Sequence, residues 1–382
     1  MDLISFTWLV WIGATTLLFW ILPAKLRFGW LLAVTCLFLL TFEPTSLGLL
    51  AVLTGTTYFL TKGPRPDGKR VALAIVPVAA LLFGYKIFSA SQGDDLVTTG
   101  VIPLGLSYYT LRCIHYAMER YKGAIRDLGP WDLLGYLFFI PTIFIGPIHR
   151  FPEWRRDKSR HRWDSEMFSE GLERILHGYV KVAFFGNFLV SDQFASWSED
   201  ATTPGSAQEL YLEMIRIGLN LWFQFSGFSD LAIGFARLLG FRVMENFNWP
   251  FFQRNISDFW ANWHISLTSW SREYVFNPTI AVTRSPAAGA LASLIAIALW
   301  HEVSVRYLVW GLYHGLGIVV WQKCRPLWGK LPQVANRFGQ HALHGLSVLV
   351  TAHFVLLGFL LVRQEGFGEI IDALQIFGTG WT

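Results

Sequence analysis

Long apolar runs separated by short connections constrain this sequence more than any other feature. The first run contains the stretch "FTWLVWIGATTLLFWI", and similar runs recur along the 382 residues. Only 15% of the residues are charged, whereas a typical soluble domain has about 25%. A helix needs about 20 apolar residues to cross a bilayer. The sequence therefore predicts an integral membrane protein and argues against a soluble protein with a large apolar core.

The number and length of these runs predict an all-α fold with about ten or eleven membrane spans. Runs this long and uninterrupted favour helices over the strands of a membrane barrel. No internal repeat or long linker divides the sequence, which favours one integral membrane domain over residues 1–382. The candidate spans lie near residues 5–23, 28–42, 46–62, 71–90, 101–119, 168–190, 207–224, 226–240, 286–301, 304–322 and 341–363.

The charged residues indicate an orientation for the first spans. Lys and Arg accumulate in cytoplasmic connections of membrane proteins. Acidic Glu43 and the Asp94–Asp95 pair alternate with the basic connections, which predicts an external N-terminus on an uncleaved first span. The basic connections hold Lys25 and Arg27, then Lys62, Arg65, Lys69 and Arg70, then Arg120, Lys122 and Arg126.

Residues 131–148 do not fit that alternation. The segment carries Pro141 and a "GPI" break, and a very basic stretch, "WRRDKSRHRW", follows it. A full crossing would put that stretch outside, against the charge rule. The pattern predicts either a re-entrant or interfacial element, or a kinked span. Irregular backbone at membrane depth requires cover by protein or a wet cavity, so the re-entrant alternative implies an enclosed space.

Polar side chains in apolar surroundings gather between residues 220 and 314. Gln224 and Asp230 interrupt one apolar run, and the stretch "ISDFWANWHISLTSW" holds His264 among tryptophans. Ionisable groups inside a membrane are costly and mark functional sites by default. The structural alternatives are a solvated Asp230 near the surface and a His264 that is hydrogen-bonded to its neighbours.

His301 follows an apolar run too short to cross the membrane. The run covers residues 286–300, about 22 Å of helix at about 1.5 Å per residue, so it leaves His301 at membrane depth. An imidazole titrates near neutral pH and suits general acid–base catalysis. His314 lies thirteen positions further on, and on one continuous helix it would face away from His301, as a packing residue does.

Other kinds of site find no support in the sequence. Cys36, Cys113 and Cys324 show no paired spacing and are interpreted as small core residues. The sequence contains no HExxH motif, nucleophile elbow or Walker loop, so no metal site is predicted. The formal charge of +4 gives no indication of a nucleic-acid partner.

Four blocks together resemble the membrane-bound O-acyltransferase family, and they occur in that family's order across about residues 101–320. They are "IPLGLSYYTLRCIHYAMERYKG", "FFIPTIFIGPIHRF", the long block "FQFSGFSDLAIGF" through "WHISLTSW", and "LWHEVSVRYLVWGLYHG". Their sequences are similar to those of the bacterial branch that includes the alginate O-acetylation and teichoic-acid D-alanylation membrane proteins. Bacterial relatives usually have Gly where this chain has Glu302.

The resemblance implies a ring of tilted helices around a central tunnel, with His301 as the catalytic residue and His264 as a second characteristic histidine. The expected reaction moves an acyl group from a cytoplasmic thioester to a hydroxyl on the external side. Acetyl is the acyl group that the resemblance favours. His301 would act as general base. The residues predicted to support the substrate or line the tunnel are Trp300, Asn262, Asp258, Trp263, Ser266, Asp230 and Gln224.

The expected donor is acyl-CoA or a phosphopantetheine-carrier thioester, with no tightly bound cofactor. The expected partners are an exported polysaccharide or other hydroxyl acceptor, a periplasmic or extracellular protein, and the lipid bilayer of the cell membrane. D-alanyl transfer to a cell-wall polymer is the alternative within the same chemistry. A polytopic transporter or flippase is the alternative of another class, since buried polar residues and broken helices also mark transport paths.

Overall fold

The fold is described from a computed structural model, which describes residues 4–92, 105–126, 129–328, 336–364 and 366–380. Within these ranges the chain is helical, and its one extended pairing is an isolated antiparallel bridge between Phe247 and Trp263. The all-α prediction is confirmed. The start of the predicted span 101–119 and the Asp94–Asp95 pair lie outside the described residues.

Seventeen α-helices lie in the described part of the chain. They are α1 (Phe6–Ile21), α2 (Ala24–Phe42), α3 (Pro44–Thr61), α4 (Gly68–Gln92), α5 (Leu106–Lys122), α6 (Pro130–Leu137), α7 (Phe151–Ser159), α8 (Ser165–Tyr179), α9 (Ala195–Ala201), α10 (Ala207–Leu238), α11 (Ile256–Asn262), α12 (Ile265–Ser271), α13 (Asn277–Thr283), α14 (Pro286–His301), α15 (Val305–Trp328), α16 (Arg337–Arg363) and α17 (Phe367–Thr379). π-Helical stretches follow α8 and α12, at Val180–Phe194 and Arg272–Phe276.

Three of the described helices are long and apolar enough to cross a membrane by length and composition. They contain the segments Ala24–Phe42, Gly68–Phe88 and Arg337–Arg363. Two shorter apolar helices, α1 and α14, have 16 residues each. These helices agree with a membrane protein, while the count of ten or eleven spans stays a prediction.

The chain divides into two compact units. The first comprises Met1–Val180 and Gly227–Glu245, and the second comprises Lys181–Ser226 and Asn246–Thr382. In the first unit, α3, α4 and α5 pack against one another. The Tyr109 hydroxyl lies 2.6 Å from Thr54 Oγ1 and donates to the Leu50 carbonyl at 3.0 Å. Such bonds join α5 to α3 because a buried hydroxyl requires a partner.

The segment 131–148 is broken, as its Pro141 and "GPI" sequence suggest. α6 spans eight residues and ends at Leu137, a 3-10 turn covers Ile140–Thr142, and non-helical backbone then continues to α7. Eight helical residues extend only about 12 Å, so this segment does not form one continuous kinked span. Phe139, Ile143 and Ile148 are nevertheless fully buried, so protein covers the irregular backbone.

The prediction of two separate spans at 207–224 and 226–240 is wrong, because α10 runs unbroken through both. Its glycines serve close packing rather than a break. A Cβ placed on Gly178 of α8 would lie 2.7 Å from the Gly227 carbonyl oxygen, and one on Gly234 would lie 2.7 Å from the Gly171 carbonyl oxygen. Two glycines on each helix therefore let the backbones of α8 and α10 approach closely.

In the second unit, α14 and α15 form an antiparallel pair around which α11, α12, α13 and α16 pack. Glycines again permit the contact: a Cβ on Gly311 would lie 2.8 Å from Ala298 Cβ and 2.9 Å from the Leu294 carbonyl oxygen. The chain leaves α14 at Glu302, whose φ of −156° and ψ of 143° are extended. His301 therefore stands at the last residue of α14, beside the turn into α15.

Candidate active site

His301 occupies its position because α14 begins and ends at residues that fix its length. Ser285 caps the helix by accepting a hydrogen bond from Ala288 N at 3.2 Å, and Pro286 takes the first position. The helix spans 16 residues, about 24 Å, and ends at His301 as the run length predicts. The imidazole is half-buried.

Aromatic rings surround the His301 imidazole on several sides. Tyr307 stacks on it with ring centroids 5.8 Å apart, and Trp310 meets it edge-on at 6.1 Å. Trp300 lies 4.9 Å away on the same helix turn and is itself buried. These rings cover part of the imidazole and restrict its contact with water.

His264 lies close to His301, although 37 positions separate them. The two ring centroids are 6.5 Å apart, and the His264 ring also lies 6.0 Å from that of Trp300. His264 is 1% exposed, and its Nε2 has no hydrogen-bond partner among the described residues. It lies outside the candidate spans, and burial, followed by the charge of His301, holds its pKa well below the ordinary value. His264 is therefore a neutral imidazole beside His301.

The backbone at His264 is unusual and is held by its surroundings. Its φ of 44° is left-handed, a conformation that costs a non-glycine residue about 1–2 kcal/mol. His264 separates α11 from α12, and its carbonyl accepts the Thr268 N–H at 2.9 Å at the start of α12. The turn directs the histidine inward rather than continuing one helix. The local sequence does not show this turn, because the four-residue spacing of Trp260 and His264 is equally compatible with one continuous helix.

Asn246 holds the segment that carries His264. Its Oδ1 accepts from Ser266 Oγ at 2.8 Å and from Ser266 N at 3.2 Å, and its carbonyl accepts from Ile265 N at 2.9 Å. Asn246 and Ser266 are both fully buried. The Ser266 hydroxyl thus donates to Asn246 and positions the turn, whereas the sequence suggested it as a group that faces the substrate.

His314 and its neighbours extend the histidine cluster, and sequence reasoning did not identify them. Trp310 lies between the two histidines, with its ring 6.1 Å from His301 and 4.9 Å from His314. Trp260 Nε1 donates to His314 Nδ1 at 3.4 Å. His301 and His314 lie on two helices, α14 and α15, so the argument from one continuous helix does not apply. Trp310, which lies between the two histidines in "HEVSVRYLVWGLYH" and four positions before His314, is the one sequence signal of this contact.

Three buried nitrogens of this cluster have no hydrogen-bond partner among the described residues. They are Nε2 of His264, Nε1 of Trp310 and Nε2 of His314. Buried polar groups without a partner cost about 1–3 kcal/mol each, so native proteins retain few of them. His314 Nε2 faces α16 at Gly358, whereas His264 and Trp310 have their rings beside His301, where a polar ligand or ordered water would complete the structure.

The other predicted site residues occupy varied places in the second unit. Trp263 is buried against Phe259, with stacked rings 5.5 Å apart. Asn262 donates to the Asp258 carbonyl at 2.8 Å, and Asp258 is exposed at the start of α11. Gln224 donates to Asn187. These polar side chains make local contacts, so their predicted role in the site stays a prediction.

Asp230 belongs to the first unit, where it is 4% exposed and forms an ion pair with Arg174 at 2.7 Å. The structural alternative of a solvated Asp230 is wrong, because the carboxylate is buried and paired. Breaking such a pair by removal of one partner is strongly destabilising, since it leaves a buried charge uncompensated. Removal of Asp230 alone would therefore leave the Arg174 charge without this partner, and the predicted site role of Asp230 stays a prediction.

Glu302, the departure from the family's usual glycine, is engaged by Arg306. The Glu302 carboxylate accepts two parallel bonds from this guanidinium, at 2.8 Å and 2.9 Å. Both side chains are partly buried, at 29% and 26% exposure. The pair neutralises the extra negative charge beside His301, which explains how the site accommodates it.

A cavity of about 170 Å³ lies beside the histidine cluster in the second unit. Its lining includes Trp260, Ser271, Ser293, Leu294 and Gln322. A second space of about 340 Å³ shares Ser257 and Gln322 with it and includes Asp258 and Arg325. Trp260 therefore contacts both the first cavity and His314. Neither His264 nor His301 lines either space, and the first cavity adjoins the histidine cluster through Trp260.

Apolar helices, a half-buried histidine at the end of a short helix and an enclosed aromatic lining define a membrane protein with a candidate catalytic site. The family model for membrane-bound O-acyltransferases matches residues 80–338, which is more than half of the chain. The chain belongs to that family.

Three curated relatives show the range of proteins that this chain is similar to. A protein described as a probable alginate O-acetylase from Pseudomonas aeruginosa is 29% identical over 317 residues, 78% of this chain and 58% of that protein. A teichoic acid D-alanyltransferase from Bacillus subtilis is 28% identical, with 69% of each chain covered. A peptidoglycan O-acetyltransferase from Helicobacter pylori is 24% identical, with 72% of this chain and 56% of the relative covered. The chain thus spans little more than half the length of two of these relatives.

Proposed function

We propose that this membrane protein is an O-acyltransferase that moves an acyl group, acetyl first of all, from a thioester donor to a hydroxyl of an exported glycan or partner protein. The observation that carries the proposal is the approach of His264 to His301 inside an aromatic enclosure. Membership of the O-acyltransferase family and two relatives named for O-acetylation support it.

His301 would act as general base. The acceptor oxygen attacks the thioester carbonyl carbon while its proton passes to the His301 imidazole. The carbon–sulfur bond then breaks, and the thiolate leaves with the proton that the imidazolium returns. The products are an ester and a free thiol, with no net proton gained or lost. The last turn of α14 accommodates the transient imidazolium, because a helix C-terminus favours positive charge.

His264 and Trp310 would support this step without taking the proton. Both rings lie within 6.5 Å of the His301 ring, and Nε2 of His264 and Nε1 of Trp310 have no partner among the described residues. An indole N–H is a donor only, and a neutral imidazole offers one donor. Donors aimed at the developing oxyanion stabilise the transition state. Trp300 closes the site against water.

The proposed donor is acyl-CoA or the phosphopantetheine thioester of a carrier protein, which binds and leaves as a substrate. Donor and acceptor would enter a central tunnel from opposite faces of the cell membrane, with the N-terminus outside. Residues 1–382 would form one integral membrane acyltransferase domain. A periplasmic or extracellular partner would present the glycan or relay the acyl group.

D-alanyl transfer from a carrier-protein thioester to a cell-wall polymer is a second candidate. Its support is the Bacillus subtilis teichoic acid D-alanyltransferase, of which this chain covers 69%. The same residues would serve it, because D-alanyl and acetyl thioesters react by the same step. A transporter or flippase is disfavoured by the family.

The test is transfer of label by membranes that contain the full chain. Labelled acetyl-CoA and a D-alanyl-charged carrier protein would be supplied separately, with alginate, teichoic acid and peptidoglycan as acceptors. We expect His301→Ala to lower the rate by at least about a hundredfold, the usual contribution of a general base, and His264→Ala to lower it less. His344→Ala is the matched control, since His344 is exposed on α16.

Full transfer activity in His301→Ala would refute the proposed mechanism. Label from the D-alanyl carrier alone would select the second candidate. Flipping of the donor that survives His301→Ala, with no acyl product from any acceptor, would instead favour a transporter.

A further inference from the structure

Helix α5 carries two arginines, Arg112 and Arg120, that are both 0% exposed. They differ in how their guanidinium groups are satisfied. Arg120 donates to the Thr61 carbonyl through Nε at 3.1 Å and Nη2 at 3.0 Å, and to the Ile125 carbonyl through Nη1 at 2.7 Å. Carbonyl oxygens thus surround the Arg120 charge, which explains its burial as a structural feature of the first unit.

No comparable set of carbonyl oxygens accepts hydrogen bonds from the Arg112 guanidinium in the described part of the chain. Among the described residues it makes one hydrogen bond, a long one from Nη1 to the Tyr136 carbonyl at 3.4 Å. Nε and Nη2 are buried and have no hydrogen-bond partner among the described residues, and no described carboxylate forms an ion pair with the group. A buried cation without a partner is strongly unfavourable, so a native protein keeps one only where something compensates it.

The two unsatisfied nitrogens lie on the same edge of the guanidinium. Nε–H and Nη2–H point in parallel, and this edge is the one that binds two oxygens of a phosphate or carboxylate at once. The unsatisfied edge of Arg112 therefore has the donor geometry of a bidentate oxyanion site.

His149 adds a second unsatisfied group to the same region of the first unit. It is 3% exposed, its Nδ1 lies 2.9 Å from Thr142 Oγ1, and its Nε2 has no partner among the described residues. When Nδ1 accepts from the threonine hydroxyl, Nε2 carries the proton and is a donor. Tyr136 links His149 to Arg112, because its hydroxyl donates to the His149 carbonyl at 2.9 Å and its own carbonyl accepts from Arg112 Nη1, and Arg150 follows His149 in the chain.

We propose that Arg112 and His149, with the nearby charge of Arg150, bind a phosphate ester group inside the first unit. Two guanidinium cations and an imidazole donor match the charge and the several acceptor oxygens of a phosphate better than those of a carboxylate. The ligand is either the phosphate of a soluble nucleotide-type thiol such as coenzyme A or the headgroup phosphate of an anionic membrane lipid. This inference stands apart from the proposed transfer reaction, because binding requires no turnover.

The experiment measures the Tm of the purified full chain in detergent at fixed pH and ionic strength. The added ligands are inorganic phosphate, coenzyme A, short-chain phosphatidylglycerol and, as a carboxylate, acetate. A ligand that binds only the folded protein raises the Tm in a saturable way. We expect phosphate and one of the two esters to raise it, and acetate to have no effect.

Three variants identify the site. Arg112→Gln should abolish the ligand-dependent rise, and Arg112→Lys, which keeps the charge but loses the bidentate edge, should weaken binding by about tenfold or more. Arg155→Gln is the matched control: it removes the same charge from an exposed position on α7 and should respond like the wild type. If Arg112→Gln does not fold, Arg112→Lys alone still decides, since the proposal requires its weaker binding.

A response to coenzyme A alone identifies a soluble phosphate ester, and a response to the lipid alone identifies a headgroup site. The proposal is overturned if no phosphate-bearing ligand raises the wild-type Tm, if Arg112→Gln and Arg112→Lys respond like the wild type, or if acetate is as effective as phosphate. Loss of transfer activity in His301→Ala leaves all of these outcomes unchanged, so failure of this proposal and failure of the proposed function are distinguishable.

Discussion

Replacement of Asn246 by alanine perturbs the site without touching either central histidine. The Asn246 side chain accepts the Ser266 hydroxyl at 2.8 Å and the Ser266 amide at 3.2 Å, and both residues are fully buried. The change leaves both donors of Ser266 unpaired in the interior. Each buried unsatisfied group costs about 1–3 kcal/mol, and the longer bond to the Ser266 amide is assigned the lower end of that range. We therefore expect the free energy of unfolding to fall by about 2–4 kcal/mol.

The same change should lower activity, because Ser266 lies two residues from His264 in the turn that directs the imidazole toward His301. A displacement of about 1 Å near reacting groups costs up to about a hundredfold in rate. We therefore expect kcat of Asn246→Ala to fall about ten- to a hundredfold at a temperature where the variant remains folded.

The assay combines unfolding in SDS titrations with acyl transfer. Ser266→Ala removes one bond and keeps the amide bond, so it should cost only about 1 kcal/mol. The double variant should show a coupling energy of about 0.5–1.5 kcal/mol. Asn336→Ala is the matched control: Asn336 caps α16 through Gly339 N and is exposed, so its loss should cost about 1 kcal/mol and leave kcat unchanged. An Asn246→Ala protein with wild-type stability, or one that is destabilised but keeps full kcat, refutes the reasoning.

Two further predictions concern the first unit. Gly178→Ala places a Cβ 2.7 Å from the Gly227 carbonyl oxygen and should lower the free energy of unfolding by about 1–3 kcal/mol. Gly13→Ala is the control, because a Cβ there has nothing within 4 Å, and it should be neutral or stabilising. Equal effects of the two substitutions in the same SDS titrations would contradict the close contact of α8 with α10. His161 lies outside the candidate spans, and burial lowers its pKa below 6.5 while its Nε2 bonds to the Leu239 carbonyl at 2.7 Å. Below about pH 6.5 the unfolded chain therefore binds more protons than the folded protein, so the free energy of unfolding should fall as the pH drops. Measured from about pH 8 to about pH 5, the Tm of His161→Gln should depend less on pH than the Tm of the wild type.

Several elements follow from local sequence. The short helix that ends at His301 is set by the apolar run 286–300, by the Ser285 cap and by Pro286, all of which act within a few residues. The break after Leu137 follows from the Pro141 region in the same way. Such features are predictable because the backbone hydrogen bonds that form or fail there involve neighbours in the chain.

Other elements could not be predicted because their meaning depends on distant partners. The sequence predicted two spans at 207–224 and 226–240, but one helix, α10, runs through this region, and its Gly227 and Gly234 allow the backbone of α8 to approach. A glycine permits either outcome, and only the packing partner decides between them. The turn at His264, with its φ of 44°, is likewise held by Asn246, twenty residues from Ser266.

The sequence by itself determined that this is an all-α membrane protein with a histidine at the end of a short apolar helix, because hydrophobic run length and helix capping are local properties. Only the tertiary structure decided that His264 lies 6.5 Å from His301, that Trp310 joins His301 to His314, and that Arg112 is buried with one unsatisfied edge. These relations join residues on separate helices. They depend on how side chains fill the space between those helices, which no periodicity along the chain encodes.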